Sequence, residues 1–372
     1  MLSRLIETIG PRPLGLTRIV VGLAALIRSI VAWRVLIRLT EPETLLTPYV
    51  SWTPEPSLLL VVVIVSVWVV AGALFAIGWR VAWTGPALLA AIVATLLIDQ
   101  QGYSNHLYLM AWLVLLLVIA DAGAGLNISR SDRPVVRWGV LLLMLQMSIV
   151  YGFSAVTKLN DEFLSGEILA GVVSGGLIAF PEGLRTPEFL SILAGVVIVA
   201  ELYLALFMWR SRYRPAALVL GLGMHMSITL LMESTLELLV FSLEMLALYP
   251  LFLSRERLIV VWDDACRFCA GWVRRFERLD VIDVVEPVGK SDPTSPVPPE
   301  EVERSMHLIH MGKVTSGFRA VTRTLEHLVP TLWLAPILRI PGISHLGEWW
   351  YRRQARRRSC GIGQPITAQE PP

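Results

Sequence analysis

Residues 58–77 read LLLVVVIVSVWVVAGALFAI, twenty consecutive positions without a charged side chain. An α-helix rises about 1.5 Å per residue, so this run is long enough to cross a hydrocarbon core of about 30 Å. Of the 372 residues in the chain, 55% are hydrophobic and 17% are charged, whereas a soluble domain averages about 25% charged residues. The run therefore predicts a transmembrane helix, and the composition extends that prediction to much of the chain.

Apolar runs of similar length lie on both sides of this one. The eight predicted spans are 19–36, 58–79, 83–98, 107–124, 136–150, 190–209, 216–232 and 236–252. The first run contains Arg28 and is followed by further spans, which argues against a cleaved signal peptide. The sequence thus predicts a polytopic α-helical membrane domain with about eight transmembrane helices.

The charges between the spans predict an orientation. An even number of spans puts both termini on one side, and the loops of that side carry ten basic residues against four in the opposite loops. The ten are Arg4, Arg12, Arg18, Arg80, Arg130, Arg133, Arg137, Arg210, Arg212 and Arg214, and the four are Arg34, Arg38, Lys158 and Arg185. Because basic loops stay in the cytoplasm, we expect a multi-pass protein of the cell membrane with both termini cytoplasmic. The glycine-rich connection 160–187 is expected to be a re-entrant or interfacial element.

Beyond residue 255 the pattern changes to charges, prolines and short apolar runs. The expected elements are a strand at 258–262, a helix at 266–279, a strand at 281–285, a proline-rich loop at 290–299, strands at 306–310 and 314–316, and a helix at 318–328. The order βαβ–ββα predicts a small α/β domain with a thioredoxin-like arrangement. We therefore expect a membrane domain at 1–254, an α/β domain at 255–360 and a disordered tail at 361–372.

Two of the three cysteines, Cys266 and Cys269, lie in VWDDACRFCAGW (261–272), between the predicted strand and helix. A helix N-terminus carries a partial positive charge that stabilises a thiolate, and Arg267 adds to that field. In this arrangement Cys266 attacks a substrate disulfide and Cys269 resolves the mixed disulfide. A zinc site, a structural disulfide and two idle thiols are the alternatives. Zinc needs four ligands, and the sequence has no second CxxC; a structural disulfide is disfavoured in a reducing cytoplasm.

The residues around this motif resemble a known family. WDDACRFC with its following helix, HLIHMGKVTSGFRAVTRTLEHL and WLAPILRIPGISHLGEWWYRRQARRR together resemble the DCC family of thiol–disulfide oxidoreductases. The resemblance covers about 258–358 and implies a thioredoxin-like oxidoreductase. Trp262 stands where the family favours Tyr, and Asp264 where it favours Gly. The added carboxylate of Asp264, two residues before Cys266, is expected to oppose formation of the thiolate.

Ionisable or amide side chains near membrane depth are functional candidates, because burying them in lipid is costly. Six such residues are Asn105, His106, Asp121, Lys158, Glu201 and His225. Ordinary structural roles remain open for most of them: an interfacial turn for Asn105–His106, a helix cap for Asp121, a snorkelling side chain for Lys158 and a satisfied core histidine for His225.

The sequence around these residues also resembles a known domain. PLGLTRIVVG, NHLYLMAWLVLLLVIADA, YGFSAVTKLNDEFLSGE and the block ending in HMSITLLM resemble the membrane domain shared with vitamin K-dependent γ-carboxylase, the horizontally transferred transmembrane (HTTM) domain, over about 13–252. The resemblance implies that Lys158 is a catalytic base and that His106 is a catalytic histidine near a quinone. Asn105, Asp121, Glu201 and His225 are the expected substrate-binding positions.

The carboxylases add a large extracytoplasmic region that these 372 residues do not contain, so the resemblance does not imply protein γ-carboxylation. It implies a membrane site for a quinone or another lipid-soluble substrate, with no covalently bound cofactor and no metal. The predicted orientation puts Cys266 on the cytoplasmic side and Lys158 near the opposite face, about 30 Å of hydrocarbon away. Direct contact between the two sites is therefore not expected.

Two functions remain open from the sequence. The first is an integral-membrane redox enzyme whose partners are the lipid bilayer, a lipid-soluble quinone and a disulfide-bearing protein. The second is a non-catalytic lipid- or partner-binding membrane protein with a vestigial or redox-sensing dithiol. Nucleic acid is not an expected partner, because the basic run at 352–358 follows Trp349 and Trp350 and suits an anionic membrane surface.

Overall fold

The computed structural model describes residues 5–177, 180–232, 235–253 and 257–356. The chain divides into two compact units, Met1–Phe252 and Leu253–Pro372. The predicted tail at 361–372 lies outside the described residues, as do Arg357, Arg358 and Cys360.

The first unit consists of helices with one small strand pair. Its helices are α1 (Arg12–Arg38), α2 (Leu58–Ala76), α3 (Val81–Ile98), α4 (Asn105–Ile119), α5 (Arg137–Thr157), α6 (Asp161–Leu164), α7 (Glu167–Ser174), α8 (Pro187–Phe207), α9 (Arg214–Leu231), α10 (Thr235–Ala247) and α11 (Tyr249–Leu253). Strand β1 (Thr8–Ile9) pairs antiparallel with β2 (Val135–Val136). In the described part of the chain, seven helices are long and apolar enough to cross a membrane, with α10 and α11 counted together as Leu236–Leu253. The predicted polytopic helical domain is thereby confirmed.

The fourth predicted span is shorter than expected. Helix α4 has 15 residues, about 22 Å at 1.5 Å per residue, instead of continuing to residue 124. It ends because Asp121 adopts a left-handed backbone conformation with φ of 61°, after which 122–124 form a 3₁₀ turn. The first unit therefore has seven helices of spanning length and one shorter apolar helix among its described residues.

Small residues let the helices of the first unit approach closely. A Cβ atom added at Gly22 of α1 would lie 2.8 Å from the Cα atom of Ala76 in α2. One added at Gly139 of α5 would lie 2.8 Å from the Cα atom of Ala120. Helix association in lipid depends on such close packing, because the hydrophobic effect does not drive apolar helices together there.

Arg18 ties the start of α1 to the loop after α4. Sequence counting assigned it to a cytoplasmic loop, but it lies within α1 and is fully buried. Its guanidinium donates to the carbonyl oxygens of Ala122 (2.7 Å), Gly125 (2.9 Å) and Leu126 (2.7 Å). These bonds offset much of the cost of burying the guanidinium, although its Nε atom has no partner among the described residues. Arg18 thus fixes the loop after α4 against the start of α1.

The connection between α5 and α8 folds along α8. Helices α6 and α7 both pack on α8, and Ala155, Phe163, Ala194 and Ile198 form a small buried cluster there. Gly166 has a φ of 82°, and a Cβ atom at this position would lie 2.7 Å from the backbone nitrogen of Ser191. This close approach brings the chain that follows Lys158 back onto the first half of α8.

The second unit has a four-stranded mixed sheet. Its strands are β3 (Leu258–Trp262), β4 (Val285–Gly289), β5 (His307–His310) and β6 (Lys313–Ser316), and its helices are α12 (Arg267–Leu279), α13 (Pro299–Arg304), α14 (Phe318–Leu325), α15 (Ala335–Arg339) and α16 (Pro341–Arg356). The strand order is β4-β3-β5-β6, with β3 and β4 parallel and the other pairs antiparallel. The small α/β class agrees with the sequence prediction. The order differs from the predicted βαβ–ββα by one short helix, α13, which follows the predicted proline-rich loop.

The second strand of this unit begins later than predicted, at Val285 instead of residue 281. The Asp280 carboxylate accepts hydrogen bonds from the backbone nitrogens of Val284 (2.8 Å) and Val285 (2.7 Å). Asp283 adopts a left-handed conformation with φ of 60°. These residues form a turn, so the apolar side chains of 281–284 lead into the strand instead of belonging to it.

Candidate functional site

The dithiol of the second unit lies where β3 passes into α12. Strand β3 ends at Trp262, and Cys266 is the N-cap residue of α12, with no side chain capping that end of the helix. Its backbone nitrogen donates to the carbonyl oxygen of Asp263 (3.1 Å), and its own carbonyl accepts from Ala270 (3.0 Å). Cys269 follows within the first turn. Cys266 therefore lies at the positive end of the helix, as the sequence predicted.

Asp263 anchors the loop before Cys266. Its carboxylate is completely buried, accepts from the backbone nitrogen of Ala265 (3.2 Å) and forms an ion pair with Lys290 (2.8 Å). Burial disfavours the charged form of Lys290, but hydrogen bonds to Asp263 and Glu303 outweigh it and raise the pKa of Lys290 above its ordinary value. The pair fixes the loop that carries Cys266 to the residue that follows β4.

Asp264, the departure from the family pattern, has its own partner. Its carboxylate accepts from the backbone nitrogen (3.4 Å) and the hydroxyl group of Ser291. A Cβ atom added at Gly289 would lie 2.5 Å from Asp264 Oδ2, so this carboxylate lies directly against the glycine at the end of β4. The Asp264 carboxylate thus has a structural role between β3 and β4.

Both thiols are covered. Cys266 is 3% exposed and Cys269 is 6% exposed. An apolar cleft of about 40 Å³ adjoins Cys269 and is lined by Phe268, Cys269, Trp272, Met306, Phe318, Val321, Trp350 and Tyr351. A single water needs roughly 10–15 Å³ on this measure, so the cleft has room for a side chain but not for a large ligand. Access to Cys266 therefore requires covering residues to move.

Helix α16 forms one wall of this cleft. The hydroxyl group of Tyr351 accepts a hydrogen bond from the backbone nitrogen of Met306 (2.9 Å), just before β5. Glu348 accepts from the backbone nitrogen of Phe318 (3.2 Å) at the start of α14. These bonds hold Trp350 and Tyr351 beside Cys269, so α16 is the element whose movement would change access to the dithiol.

A metal site at the dithiol has no support in the described part of the chain. There, no group of three or more His, Cys, Asp or Glu side chains could hold a metal ion. The His310 ring packs edge-on against His327, with 4.6 Å between the ring centroids, and His307 lies 3.9 Å from Glu301. Burial lowers the pKa of His307. The two strand histidines thus have separate surroundings.

In the first unit, Lys158 and Glu201 form the centre of a second polar cluster. The Lys158 ammonium donates to both oxygens of the Glu201 carboxylate (2.8 and 2.9 Å) and to the Ser154 hydroxyl group, which donates to Glu201 Oε1 (2.9 Å). The Lys158 side chain is 24% exposed and that of Glu201 is 10% exposed. The structure therefore brings together two residues that the sequence singled out separately, and it adds Ser154.

A helix after Lys158 covers this pair. Asn160 caps α6 by accepting from the backbone nitrogen of Phe163 (2.9 Å). The Phe163 ring centroid lies 5.8 Å from the Lys158 nitrogen. Glu201 lies fourteen residues, about 21 Å, beyond the first residue of α8. The ion pair is therefore well within the length of α8, and the snorkelling alternative for Lys158 loses support, because its nitrogen turns towards a carboxylate.

One face of α5 extends the cluster to His225. The hydroxyl group of Tyr151 is bonded to Nε2 of His225 (2.7 Å) and to the hydroxyl group of Tyr249 (2.9 Å). Tyr151, Ser154 and Lys158 recur at helical spacing, so they share one face of α5. His225 is completely buried. The alternative of a hydrogen-bonded core histidine fits the Nε2 atom of His225, which is bonded to Tyr151.

The other predicted residues lie apart from the ion pair. The His106 ring packs on Phe241 of α10, with 4.5 Å between centroids. The Asn105 amide oxygen accepts from the hydroxyl group of Tyr103 (2.9 Å), and Asn105 is exposed. Asp121 forms a two-bond ion pair with Arg133 beyond the other end of α4. The structure does not bring Asn105 or Asp121 to Lys158.

Two known domain families match the sequence of the chain. The HTTM domain pattern matches residues 7–256, two thirds of the chain. The chain belongs to the HTTM domain family. A second pattern, the DCC1-like thiol-disulfide oxidoreductase, matches residues 260–361. Comparison with curated proteins gave no match, and comparison with solved structures gave none. The HTTM domain thus accounts for the first unit and the DCC1-like domain for the second.

Several polar residues of the HTTM domain were missed in the sequence. Tyr151 and Ser154 could have been found from their spacing of seven and four residues before Lys158. Glu244 is a fully buried acidic residue within an apolar run. Because burying such a side chain in a membrane is costly, its position in the sequence could have made it a functional candidate. In the DCC1-like domain, Lys290 gave no local signal, because its partner Asp263 lies 27 positions earlier in the chain.

Proposed function

We propose that this HTTM-family protein is an integral-membrane thiol–disulfide oxidoreductase that acts on disulfide-bearing proteins from the cytoplasmic side. The observation that carries the proposal is the position of Cys266 as N-cap of α12, directly after a buried strand, with Cys269 in the first turn. A dithiol at a helix N-terminus is the arrangement in which the first thiol attacks a disulfide and the second resolves the mixed disulfide. The match to the DCC1-like thiol-disulfide oxidoreductase supports the same chemistry.

The reaction is a two-electron exchange. The Cys266 thiolate attacks one sulfur of the substrate disulfide and displaces the other sulfur as a thiolate, which takes up a proton. The Cys269 thiol loses its proton and attacks Cys266 Sγ, so the substrate leaves as a dithiol and a Cys266–Cys269 disulfide forms. A dithiol reductant of the cytoplasm then restores the two thiols. Because both thiols are buried, covering residues must move before the first attack.

Trapping variants test this proposal on the full-length protein. Cys269→Ser retains the attacking thiol and cannot resolve, so we expect it to accumulate mixed disulfides with a model substrate. Cys266→Ser should accumulate none, and Cys360→Ser should behave as wild type. Turnover of a model disulfide by Cys266→Ser at the wild-type rate would contradict the assignment, and unaltered cellular function after alkylation of both thiols would favour a vestigial or sensing dithiol.

For the HTTM domain we propose a site for a quinone or another lipid-soluble substrate at the Lys158–Glu201 cluster. The supporting observation is an ion pair that lies well inside α8 and is joined by the hydroxyl group of Ser154. The Glu201 carboxylate binds the Lys158 side chain through both of its oxygens. Glu201 is accordingly the residue that positions the side chain that we propose as the base.

This second proposal predicts loss of turnover in two variants. Lys158→Ala should abolish turnover of the lipid-soluble substrate. Lys158→Arg should also lose turnover although it preserves the ion pair and the fold, because arginine does not release its proton. Mass spectrometry of the protein in native lipid tests whether a quinone is bound. Wild-type activity in either variant would rule out Lys158 as base. A reporter fused to the C-terminus tests the proposed cytoplasmic orientation.

A further inference from the structure

One face of α12 carries a stripe of positive charge that begins beside the dithiol. Four arginines form it: Arg267, Arg274, Arg275 and Arg278. All four side chains are exposed. With 3.6 residues per turn they fall within an arc of about 100°, on the side of the helix opposite the buried residues Val273 and Phe276. We call this face the arginine stripe.

The stripe has no acidic partner in the part of the chain that the structure describes. None of its four guanidinium groups forms an ion pair there, whereas Arg257, Arg339 and Arg352 of the same unit each pair with a glutamate. Arg275 lies over the ring of Trp272, 5.1 Å from its centroid. The charge of the stripe is therefore not neutralised by the described residues, and it is open to an anionic partner.

The stripe does not stabilise the helix that carries it. Arg278 lies three residues after Arg275 and four after Arg274, so like charges are neighbours on the helix surface, which is unfavourable. Arg267 is the first residue of α12, where the positive end of the helix dipole disfavours a cation. The dipole favours Arg278, which lies in the last turn. An anionic partner therefore explains the stripe better than the stability of α12 does.

The stripe starts next to the attacking thiol and leads away from it. Arg267 directly follows Cys266, and Arg278 lies eleven residues, about 16 Å, further along the helix axis. An extended peptide rises about 3.3 Å per residue, so about five residues of a substrate are enough to cover this length. Trp272, which lies under Arg275, also lines the apolar cleft beside Cys269. The stripe therefore begins where a substrate disulfide must arrive.

We propose that the arginine stripe binds an acidic segment of the protein substrate, located within about five residues of the disulfide that Cys266 attacks. Carboxylates of this segment pair with the guanidinium groups, and their long-range attraction raises the rate at which the substrate reaches Cys266. A bilayer on this face would cover the N-terminus of α12 and block that approach, so a peptide fits the stripe better than lipid. This inference rests on the proposed thiol–disulfide exchange and names its substrate class.

Two matched peptides test the stripe. Each carries one cysteine as a 2-pyridyl disulfide, followed by four glutamates in one peptide and by four glutamines in the other. The full-length protein is used in nanodiscs of zwitterionic lipid with Cys269→Ser and Cys360→Ser, so that Cys266 is the single thiol of the chain. The Cys266 thiolate attacks the peptide sulfur and displaces 2-thiopyridone, whose absorbance gives the rate. Peptide concentrations are chosen where the rate rises linearly with concentration.

We expect the glutamate peptide to react about tenfold faster than the glutamine peptide at about 20 mM salt, and at a similar rate at about 0.5 M salt, because salt screens exposed charges. Arg274→Gln combined with Arg278→Gln halves the charge of the stripe and should lower the preference to about threefold, because contributions of separate charges to the free energy roughly add. Arg274→Glu combined with Arg278→Glu brings the charge to zero and should abolish the preference. Both variants should react with the glutamine peptide at the parent rate, since these positions lie more than two turns from Cys266.

A matched control removes two positive charges elsewhere in the second unit. Arg257 precedes β3, and Lys313 begins β6 and pairs with His310, so both lie at the end of the sheet opposite Cys266. Arg257→Gln combined with Lys313→Gln should keep the full preference for the glutamate peptide. A loss equal to that of the Arg274→Gln, Arg278→Gln variant would make net charge responsible and would overturn the stripe as a binding surface.

The remaining outcomes separate this inference from the proposal on which it rests. If neither peptide reacts with Cys266, thiol–disulfide exchange fails as the function. If both peptides react at equal rates at low salt, exchange stands and the acidic-substrate surface is wrong. Anionic lipid in the nanodiscs tests the other occupant. Slower reaction of the glutamine peptide there, relieved in the Arg274→Gln, Arg278→Gln variant, would assign the stripe to the bilayer and overturn the proposal.

Discussion

Replacement of Lys290 by methionine should loosen the loop that carries Cys266. Lys290 forms an ion pair with the completely buried carboxylate of Asp263. That carboxylate accepts from the Ala265 nitrogen, and the Asp263 carbonyl accepts from the Cys266 nitrogen. In Lys290→Met the buried carboxylate loses this ion pair, so opening of the loop becomes easier.

The structure sets the size of this effect. Removing one partner of a buried ion pair costs about 3–5 kcal/mol. The lower end applies, since the Lys290 side chain is 19% exposed and its second partner, Glu303, is 59% exposed. A cost of about 3 kcal/mol corresponds to roughly a hundredfold larger open population.

The rate of thiol alkylation measures that population. Cys266 and Cys269 are buried, so a maleimide reagent modifies them through the open state, and the rate follows its population when closing is fast. The full-length protein is used with Cys360→Ser, so that only these two thiols report. Lys290→Met should label roughly a hundredfold faster than wild type. Lys290→Arg should stay near wild type, and Asp263→Asn combined with Lys290→Met should recover much of the loss, because no buried charge remains. Identical rates for Lys290→Met and wild type would refute the reasoning.

Three further outcomes follow from single contacts. Tyr351→Phe leaves the Met306 N–H without its acceptor, which costs about 1–3 kcal/mol, so alkylation of the dithiol should accelerate roughly tenfold; an unchanged rate would show that α16 does not control access. Gly22→Ala should lower the unfolding temperature in detergent, because its Cβ atom would meet α2, whereas Gly223→Ala, with open space around it, should keep or raise that temperature; equal effects would argue against the α1–α2 contact. Because burial lowers the pKa of His307, the unfolded state binds more protons, so the second unit should lose stability as the pH falls below about 6.5. Hydrogen exchange of peptides covering 307–310, corrected for intrinsic rates, should show this loss in wild type and not in His307→Asn; the same pH dependence in both would assign it to another group.

The sequence predicted the parts of the structure that depend on local pattern. Hydropathy located every long apolar helix, and period-two runs next to a CxxC motif gave the order of the second unit. Helix α4 was overestimated, because hydropathy does not register the left-handed turn at Asp121. The late start of β4 has a similar cause, since the Asp280 turn depends on backbone hydrogen bonds that apolar composition does not reveal.

The candidate sites were predicted less completely, because side-chain partners come from distant positions. Lys158 and Glu201 were each identified as costly within an apolar chain, but their pairing depends on how α5 packs on α8. Arg18 was assigned to a loop because a charge near a span end usually lies in water. In the structure it is buried, and its guanidinium donates hydrogen bonds to carbonyl oxygens of a distant loop. Residue type therefore predicted which side chains are costly to bury, and helix packing determined which of them are in contact.

The burial of the dithiol also affects how readily the two thiols are irreversibly oxidised. Oxidation of a cysteine beyond the disulfide, to sulfinic and sulfonic acids, is irreversible in most proteins and follows the exposure of the thiolate to peroxide. With 3% and 6% of their surfaces exposed, Cys266 and Cys269 are shielded from small oxidants. We therefore expect a variant that opens the cover over these thiols to react faster with disulfides and thiol reagents and also to be oxidised irreversibly sooner.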